Sequence, residues 1–251
     1  MDCLVVSQDE GIATIRLARD KVNALNEAVV ARLEENFKTF EQDDGIRSVI
    51  LTGTGKFFSF GFDIPEFLSY SKESFERYVT AFARLYSYIF LFPKPVIAAL
   101  NGHTIAGGCM LALACDHRVM IEGKARISLN EIGFGSSVFA GSVEMLRYCV
   151  GSKNAQDALF SGTMYSAREA REIGLIDEVA ETEDRVLPMA VEAARRLGGK
   201  EPRAFASVKG LLRREIAERI AGQESRSIRE FLDIWYSENT WKKLLEIKIS
   251  R

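Results

Sequence analysis

The sequence has few of the residues that build metal centres and disulfide frameworks, with two histidines and four cysteines among 251 residues. The cysteines are at positions 3, 109, 115 and 149. This spacing gives neither a disulfide framework nor paired zinc ligands, so we expect no bound metal. A catalytic triad based on histidine would have to use His103 or His117, and we expect both to be structural. Cys109 and Cys115 are predicted to be small buried hydrophobic residues.

The sequence also lacks an excess of charge and a long apolar run. Thirty-three basic and 35 acidic residues leave a net charge of −2, which argues against a nucleic-acid partner. Every apolar stretch is interrupted well before the ~18 residues that a membrane span requires. The first residues resemble no signal or transit peptide. We therefore expect no membrane partner, and either a bacterial cytoplasmic protein or the mature form of an organelle-matrix protein.

Strand-like and helix-like segments alternate over the first three quarters of the chain, which is typical of an α/β fold. The pattern predicts strands at residues 4–7, 12–17, 48–52, 96–100, 117–121, 125–129 and 175–180. It predicts helices at 27–42, 72–92, 108–115, 142–150, 153–161, 167–173, 186–197, 203–220, 225–236 and 240–249. Residues 1–195 are interpreted as the core, and residues 196–251 as a C-terminal helical region that can pack on its own core or on a neighbouring subunit.

Two glycine-bearing loops follow predicted buried strands. Residues 57–64 (FFSFGFDI) follow the strand at 48–52, and residues 101–109 (NGHTIAGGC) follow the strand at 96–100. Glycine allows backbone to approach a ligand closely, and one N–H group from each loop could bind the same oxygen as an oxyanion hole. Glycine content alone favours ordinary tight turns. Neither loop has the pattern of a phosphate-binding loop.

Three segments together resemble the crotonase, or enoyl-CoA hydratase/isomerase, superfamily. They are FFSFGFDI, PVIAALNGHTIAGGCMLALACDHRVM and ISLNEIGFG, in that order. The resemblance extends over essentially the whole chain, including VNALNEAVVARLEENF near the start and GLIDEV at 174–179. AGGCMLALACD, SLNE and the tail FLDIWYSENTWKKLL are most similar to monofunctional Δ3,Δ2-enoyl-CoA isomerases.

The resemblance implies a fold, a ligand and an assembly. The fold is a crotonase-type spiral of ββα units, and the C-terminal helical region serves trimerisation. The substrate is an acyl-CoA thioester, so coenzyme A is part of the substrate and no separate cofactor is expected. The assembly is a homotrimer or a dimer of trimers. The oxyanion donors are the peptide N–H groups of Phe62 and Gly107; the family usually has a small residue at position 62.

The number of carboxylates indicates which reaction of this family the chain performs. Hydratases of the family use two glutamates, whereas this chain has Met110 at the first position and Glu131 at the second. Hydration requires a water held between two carboxylates. Moving a double bond from C3=C4 to C2=C3 requires one base that takes a proton from C2 and returns it to C4. We therefore expect Glu131 to be the catalytic base of an isomerase that converts 3-enoyl-CoA to 2-trans-enoyl-CoA.

The resemblance also suggests residues that contact the substrate. They are Ala24, Ser59, Phe60, Gly61, Asp63, Gly108, Met110 and Asn130. Lysines that could meet the phosphates of coenzyme A are Lys21, Lys56, Lys242 and Lys243, and the sequence does not choose among them.

Two other functions stay open at this point. One is a hydratase or another acyl-CoA reaction on the same fold, such as thioester hydrolysis. The other is a non-catalytic protein of crotonase fold, for example one that binds RNA, which the net charge of −2 disfavours.

Overall fold

A computed structural model describes residues 3–247 of the chain. Its strands are β1 (Leu4–Asp9), β2 (Ile12–Leu17), β3 (Ser48–Thr52), β4 (Phe57–Ser59), β5 (Val96–Leu100), β6 (His103–Ile105), β7 (His117–Ile121), β8 (Ile127–Ser128) and β9 (Glu178–Ala180). Its helices are α1 (Glu27–Gln42), α2 (Ile64–Phe67), α3 (Lys72–Leu91), α4 (Gly107–Ala114), α5 (Ala140–Ser161), α6 (Ala167–Glu172), α7 (Glu183–Gly198), α8 (Pro202–Trp235) and α9 (Glu238–Glu246). A short 3-10 helix covers Glu131–Phe134.

The larger sheet has six strands in the order β1-β2-β3-β5-β7-β9. β1 and β2 form the antiparallel hairpin that the polar turn between them predicts, and the remaining pairs are parallel. Every residue of β3 and β5 is buried, which explains why these strands are uninterrupted apolar runs rather than alternating ones. The predicted α/β fold is confirmed.

A second sheet of three short parallel strands, β4-β6-β8, corrects the prediction that residues 57–63 and 101–108 are only loops. β4 and β6 have three residues each and their pairing is irregular, so neither shows a strand pattern in the sequence. Three strands of the large sheet, β3, β5 and β7, are each followed by a strand of the small sheet and then by helix. This repeated ββα order is the spiral that the resemblance implies.

Most predicted helices are present, and local side chains explain where they begin. The Asn26 side chain accepts a hydrogen bond from the Val29 N–H at the start of α1. Ser166 and Glu169 form a capping box at the start of α6. The two helices predicted at 142–150 and 153–161 are halves of α5, which bends at Gly151, where φ is +75°.

Two other boundaries differ from the prediction. α8 is one helix of 34 residues, whereas the sequence predicted two helices separated near Gly222. A glycine inside a helix costs only about 1 kcal/mol, which packing of α8 against α3 and α5 outweighs. The expected strand at 175–180 is limited to β9, because only those residues pair with β7. The last helix ends at Glu246, and predicted helical residues 248–249 lie outside the described residues.

A buried ion cluster attaches α8 to the body. Asp116, at the start of β7, accepts hydrogen bonds from Lys209 at 2.7 Å and lies 3.1 Å from Arg213, both on α8. Arg213 also donates to the carbonyl oxygen of Phe90, at the end of α3. Burial lowers the pKa of Lys209 to about 8. The C-terminal helical region therefore packs on the core of its own chain.

The predicted boundary between residues 195 and 196 falls inside the last turn of α7. Whether the two regions are separate domains stays a prediction. Within residues 3–247, no helix is long and apolar enough to cross a membrane.

Candidate active site

A largely apolar cavity of about 270 Å³ lies where the small sheet, α4 and the end of α8 meet. It is lined by Phe60, Phe62, Ile64, Ile105, Ala106, Gly107, Met110, Asn130, Glu131, Gly133, Phe134, Phe139, Phe231, Trp235 and Ile247. A concave apolar site with a few polar groups is the usual form of a small-molecule site. Six of the residues predicted from the sequence lie here: Phe60, Phe62, Gly107, Met110, Asn130 and Glu131.

Glu131 is buried, and neither of its carboxylate oxygens has a hydrogen-bond partner within residues 3–247. Burial raises the pKa of this carboxyl to about 8, because the charged form loses its hydration. A carboxyl group with this pKa is protonated in much of the protein at neutral pH. Its deprotonated form is a stronger base than a solvated carboxylate, as proton abstraction next to a carbonyl requires.

Backbone contacts on both sides hold Glu131 in place. Its 3-10 helix ends at Gly135, which has a φ of +83°. The Glu131 carbonyl accepts a hydrogen bond from the Ser136 N–H at 3.0 Å. The Thr240 hydroxyl of α9 donates to the Gly135 carbonyl at 2.6 Å. A residue more than a hundred positions later in the chain thus secures the segment that carries Glu131.

The two glycine loops meet, as the oxyanion-hole prediction requires. A Cβ on Gly61 would lie 3.0 Å from the Gly107 nitrogen, and a Cβ on Gly107 would lie 3.1 Å from the Phe62 ring. Gly61 also has a φ of +96°, which favours glycine. No hydrogen bond within residues 3–247 uses the peptide N–H of Phe62 or of Gly107. Two neighbouring backbone donors therefore remain available beside the cavity.

Ala106 precedes Gly107 in a strained conformation, with φ at +50° and ψ at −118°. A non-glycine residue in such a region costs about 1–3 kcal/mol, and such strain is concentrated at functional sites. Here the turn starts α4 without a side-chain cap, and Gly107 is the first residue of the helix. Its N–H has no acceptor within the helix and lies at the positive end of the helix dipole.

Met110 is buried in the cavity wall, on the first turns of α4. Among the described residues that line the cavity, Glu131 is the sole carboxylate. Met110 and Glu131 thus line the same cavity, while the catalytic role of Glu131 stays a prediction.

The remaining predicted contacts lie outside the cavity lining and support the loops. The Ser59 hydroxyl donates to the Asn23 carbonyl and accepts from the Gly61 N–H. Asp63 caps α2 and pairs with Arg19 at 2.6 Å. The Ala24 carbonyl also accepts from Arg19. For these residues and for Gly61, direct contact with a substrate stays a prediction.

Gly108 belongs to this supporting group because it brings α4 against β4. A Cβ at this position would lie 2.6 Å from the Ser59 carbonyl oxygen. Its absence lets the two glycine loops approach, while its own contact with a substrate stays a prediction.

The four lysines proposed for the coenzyme A phosphates lie in different surroundings. Lys242 forms an ion pair with Glu238 at 2.6 Å. The Lys243 amino group lies near Gly135, next to the cavity residue Phe134. Lys56 is exposed at the turn before β4 and Lys21 is exposed before α1. Lys243 is thus the one placed beside the residues that line the cavity.

Sequence reasoning did not assign to the site the residues that close the cavity on its inner side. Phe139 precedes α5, and Phe231 and Trp235 lie one turn apart on α8. No motif in the sequence connects these aromatic residues with residues 57–64. The aromatic face of α3 lies behind the Phe62 ring, which packs 5.1 Å from both Tyr78 and Phe82.

Within residues 3–247, no group of three or more histidine, cysteine or acidic side chains is arranged to hold a metal ion. Cys109 and Cys115 are buried, and burial raises the pKa of both thiols. His117 hydrogen-bonds to Glu178 at 2.8 Å, while the ring of His103 packs 5.1 Å from that of Phe57.

Comparison with known proteins agrees with this geometry. The family model for enoyl-CoA hydratase/isomerase matches residues 7–242. A probable enoyl-CoA hydratase of Bacillus subtilis (strain 168) is 34% identical over 214 residues, which cover 84% of this chain and 82% of that protein. The 2,3-dehydroadipyl-CoA hydratase of Escherichia coli (strain K12) is 32% identical, with 85% and 82% covered.

Among solved structures, human mitochondrial Δ3-Δ2-enoyl-CoA isomerase superposes with a TM-score of 0.92 at 26% identity. The alignment covers 97% of this chain and 96% of the human one. The family match over nearly the whole length, together with the ββα spiral and the paired glycine loops, shows that this chain belongs to the enoyl-CoA hydratase/isomerase family.

Proposed function

We propose that this enzyme is an enoyl-CoA isomerase that moves the double bond of a 3-enoyl-CoA to give the 2-trans-enoyl-CoA. The observation that carries the proposal is Glu131, the single carboxylate among the described lining residues, in a largely apolar cavity beside two backbone N–H groups that no hydrogen bond uses. One base is enough for this reaction, because the proton leaves C2 and returns to the same molecule at C4.

In the proposed mechanism, the thioester oxygen accepts hydrogen bonds from the N–H groups of Phe62 and Gly107. The deprotonated Glu131 removes a proton from C2, and the electron pair of that C–H bond forms an enolate whose oxygen the two donors stabilise. Glu131 then delivers the proton to C4 as the C2=C3 double bond forms. Loss of one donor in comparable oxyanion holes costs about 2.7–4 kcal/mol.

The apolar cavity favours this outcome over hydration. Met110 places a thioether where a second carboxylate would be needed to hold and orient a water. Beside Glu131, the polar side-chain groups of the described lining are the Asn130 amide and the Trp235 indole N–H, and neither can serve as the second acid–base group that hydration uses.

A hydratase is the second candidate, and the names of the curated relatives favour it. The Bacillus subtilis and Escherichia coli proteins are both named as hydratases. A hydratase reaction in this chain would require Glu131 to activate a water without a second acid.

The test is a side-by-side assay of 3-enoyl-CoA and 2-enoyl-CoA substrates with the wild type and variants. Glu131→Gln should lower isomerisation by at least about a hundredfold while leaving acyl-CoA affinity largely unchanged. Met110→Glu should introduce hydration of the 2-enoyl-CoA, whereas the apolar control Met110→Leu should not. Rapid hydration by the wild type, or unchanged isomerisation in Glu131→Gln, would contradict the proposal.

For the assembly, we propose a homotrimer. The exposed apolar residues Val208, Leu211 and Leu212 on α8, of which Leu211 is 80% exposed, offer a surface that a neighbouring subunit could cover. Sedimentation equilibrium should give three times the chain mass of 28.1 kDa, or six times for a dimer of trimers. A monomer at micromolar concentration would refute this assembly.

A further inference from the structure

We propose that three aromatic side chains at the inner end of the cavity, Phe139, Phe231 and Trp235, limit the acyl group to about eight carbons. This group is called the aromatic floor below. The enzyme would then act on short- and medium-chain acyl-CoA thioesters and discriminate against long-chain ones. The inference rests on the acyl-CoA substrate of the proposed function, and it deepens that proposal by naming the class of acyl group.

Burial distinguishes the two ends of the cavity. Gly133 is exposed, and Phe60, Phe134 and Ile247 are half-buried, so they mark the side from which a ligand enters. The three residues of the aromatic floor are each at most 2% exposed, so they mark the closed side. Glu131 and the backbone donors line the same space, which directs the acyl chain beyond the thioester towards the floor.

The aromatic floor is held by interlocked rings rather than by flexible chains. The rings of Phe139 and Phe231 meet edge-to-face at 4.7 Å, and those of Phe231 and Trp235 lie 5.4 Å apart. Behind them, the Phe75 ring of α3 packs 4.7 Å from Trp235. Close-packed aromatic rings in a core resist displacement, so a longer chain would have to disrupt this packing.

The size of the cavity sets the limit. One methylene group takes roughly 30 Å³, about as much as one water molecule. A cavity of about 270 Å³ therefore accommodates about nine groups of this size. The thioester carbonyl and sulfur occupy about two of these places. The remainder holds an acyl chain of about six to eight carbons.

The limit can be measured without any turnover. Calorimetric titration of the wild type with saturated straight-chain acyl-CoAs, from butanoyl-CoA to dodecanoyl-CoA, reports acyl binding in the absence of a reactive double bond. We expect affinity to rise up to about fourfold per added methylene, the increment for burying one such group, and to fall at least tenfold between octanoyl-CoA and dodecanoyl-CoA.

Variants of Phe231 test whether the aromatic floor causes the limit. Phe231→Ala should move the limit about three carbons longer, and the milder Phe231→Leu about one carbon. The matched control is Phe37→Leu, which removes the same atoms from a fully buried residue that packs on Phe92 and does not line the cavity. It should leave the limit unchanged. Phe231→Leu also keeps the test usable if the alanine variant does not fold.

Three results would overturn the inference. Affinity that continues to rise through dodecanoyl-CoA would show that no limit exists at this length. A limit that does not move in either Phe231 variant would assign it to another part of the chain. Failure of the wild type to bind any acyl-CoA would overturn the proposed function and this inference together. The first two results would leave the proposed function intact, so the two kinds of failure can be distinguished.

Discussion

Glu131 is expected to destabilise the folded protein as the pH rises, and its replacement by glutamine should reveal this cost. Burial raises the pKa of the folded-state carboxyl to about 8, against a value of 4.5 for a solvated glutamate. Between these two values the folded protein retains a proton that the unfolded chain has released. The free energy of unfolding therefore falls with increasing pH over this interval.

The magnitude follows from the size of the shift. Each pH unit within the interval removes about 1.4 kcal/mol of stability, and the full shift corresponds to an upper limit of about 5 kcal/mol above pH 8. Below the unfolded-state pKa both states are protonated, and this contribution disappears. Glutamine imitates the neutral carboxyl at every pH, so the stability of Glu131→Gln relative to the wild type should rise through the interval.

Urea denaturation of both proteins at pH 5, 6, 7 and 8 measures this difference. The new amide is expected to change the free energy of unfolding by an amount that does not depend on pH. The buried carboxyl is therefore reported only by how the stability difference between the two proteins changes with pH. The control is Glu172→Gln on the exposed end of α6, which should change stability by no more than about 0.5 kcal/mol. A difference between wild type and Glu131→Gln that is the same at pH 5 and pH 8 would refute the assignment of a raised pKa to this group.

Three further predictions concern rate and stability. The isomerisation kcat/KM of the wild type should rise with pH up to about pH 8, the pKa of Glu131, and level off only above it, because the proposed base is the deprotonated carboxylate; a pH-independent rate between pH 6 and 8 would contradict this. Asp116→Asn should lower the free energy of unfolding by about 3–5 kcal/mol, because Lys209 and Arg213 of α8 would stay buried beside an uncharged amide. A loss below about 1 kcal/mol in urea titration would show that other groups compensate the charges of these two side chains. Gly108→Ala should reduce thermal stability, because the new Cβ would lie 2.6 Å from a carbonyl oxygen. Gly222→Ala on α8 has open space around the new Cβ, so it should raise the free energy of unfolding by about 0.5–1 kcal/mol. Equal effects of the two substitutions on stability would refute the packing argument.

The sequence allowed most of the fold to be predicted because its periodic segments are long. β3 and β5 were recognised as buried strands, and α1 and α3 were placed within a residue or two of their ends. β4 and β6 were missed because three residues contain too little of a repeating pattern to distinguish a strand from a loop. The break predicted near Gly222 was wrong because tertiary packing along α8 outweighs one weak helix former.

Some residues of the candidate site could likewise be predicted from the sequence and others could not. Residues within the three resembling segments, such as Glu131, Phe62 and Gly107, could be named from the sequence, and the structure brings them to one cavity. The strained turn at Ala106 could not, because nothing in the sequence distinguishes this alanine from its neighbours. Phe231 and Trp235 could not be placed either, since their position depends on how α8 folds back onto α3.

This return of α8 and α9 onto the core gives the C-terminal region a role that does not depend on assembly. α8 supplies two rings of the aromatic floor, while Thr240 of α9 holds the segment that carries Glu131. The cavity therefore forms only when residues 60–139 and residues 231–247 pack together, and the buried Asp116 cluster stabilises that arrangement from the opposite end of α8. Phe231, Trp235 and Ile247 of the C-terminal region thus complete an apolar cavity whose other described lining residues come from the body of the chain, and packing of this region contributes to the burial that raises the pKa of Glu131.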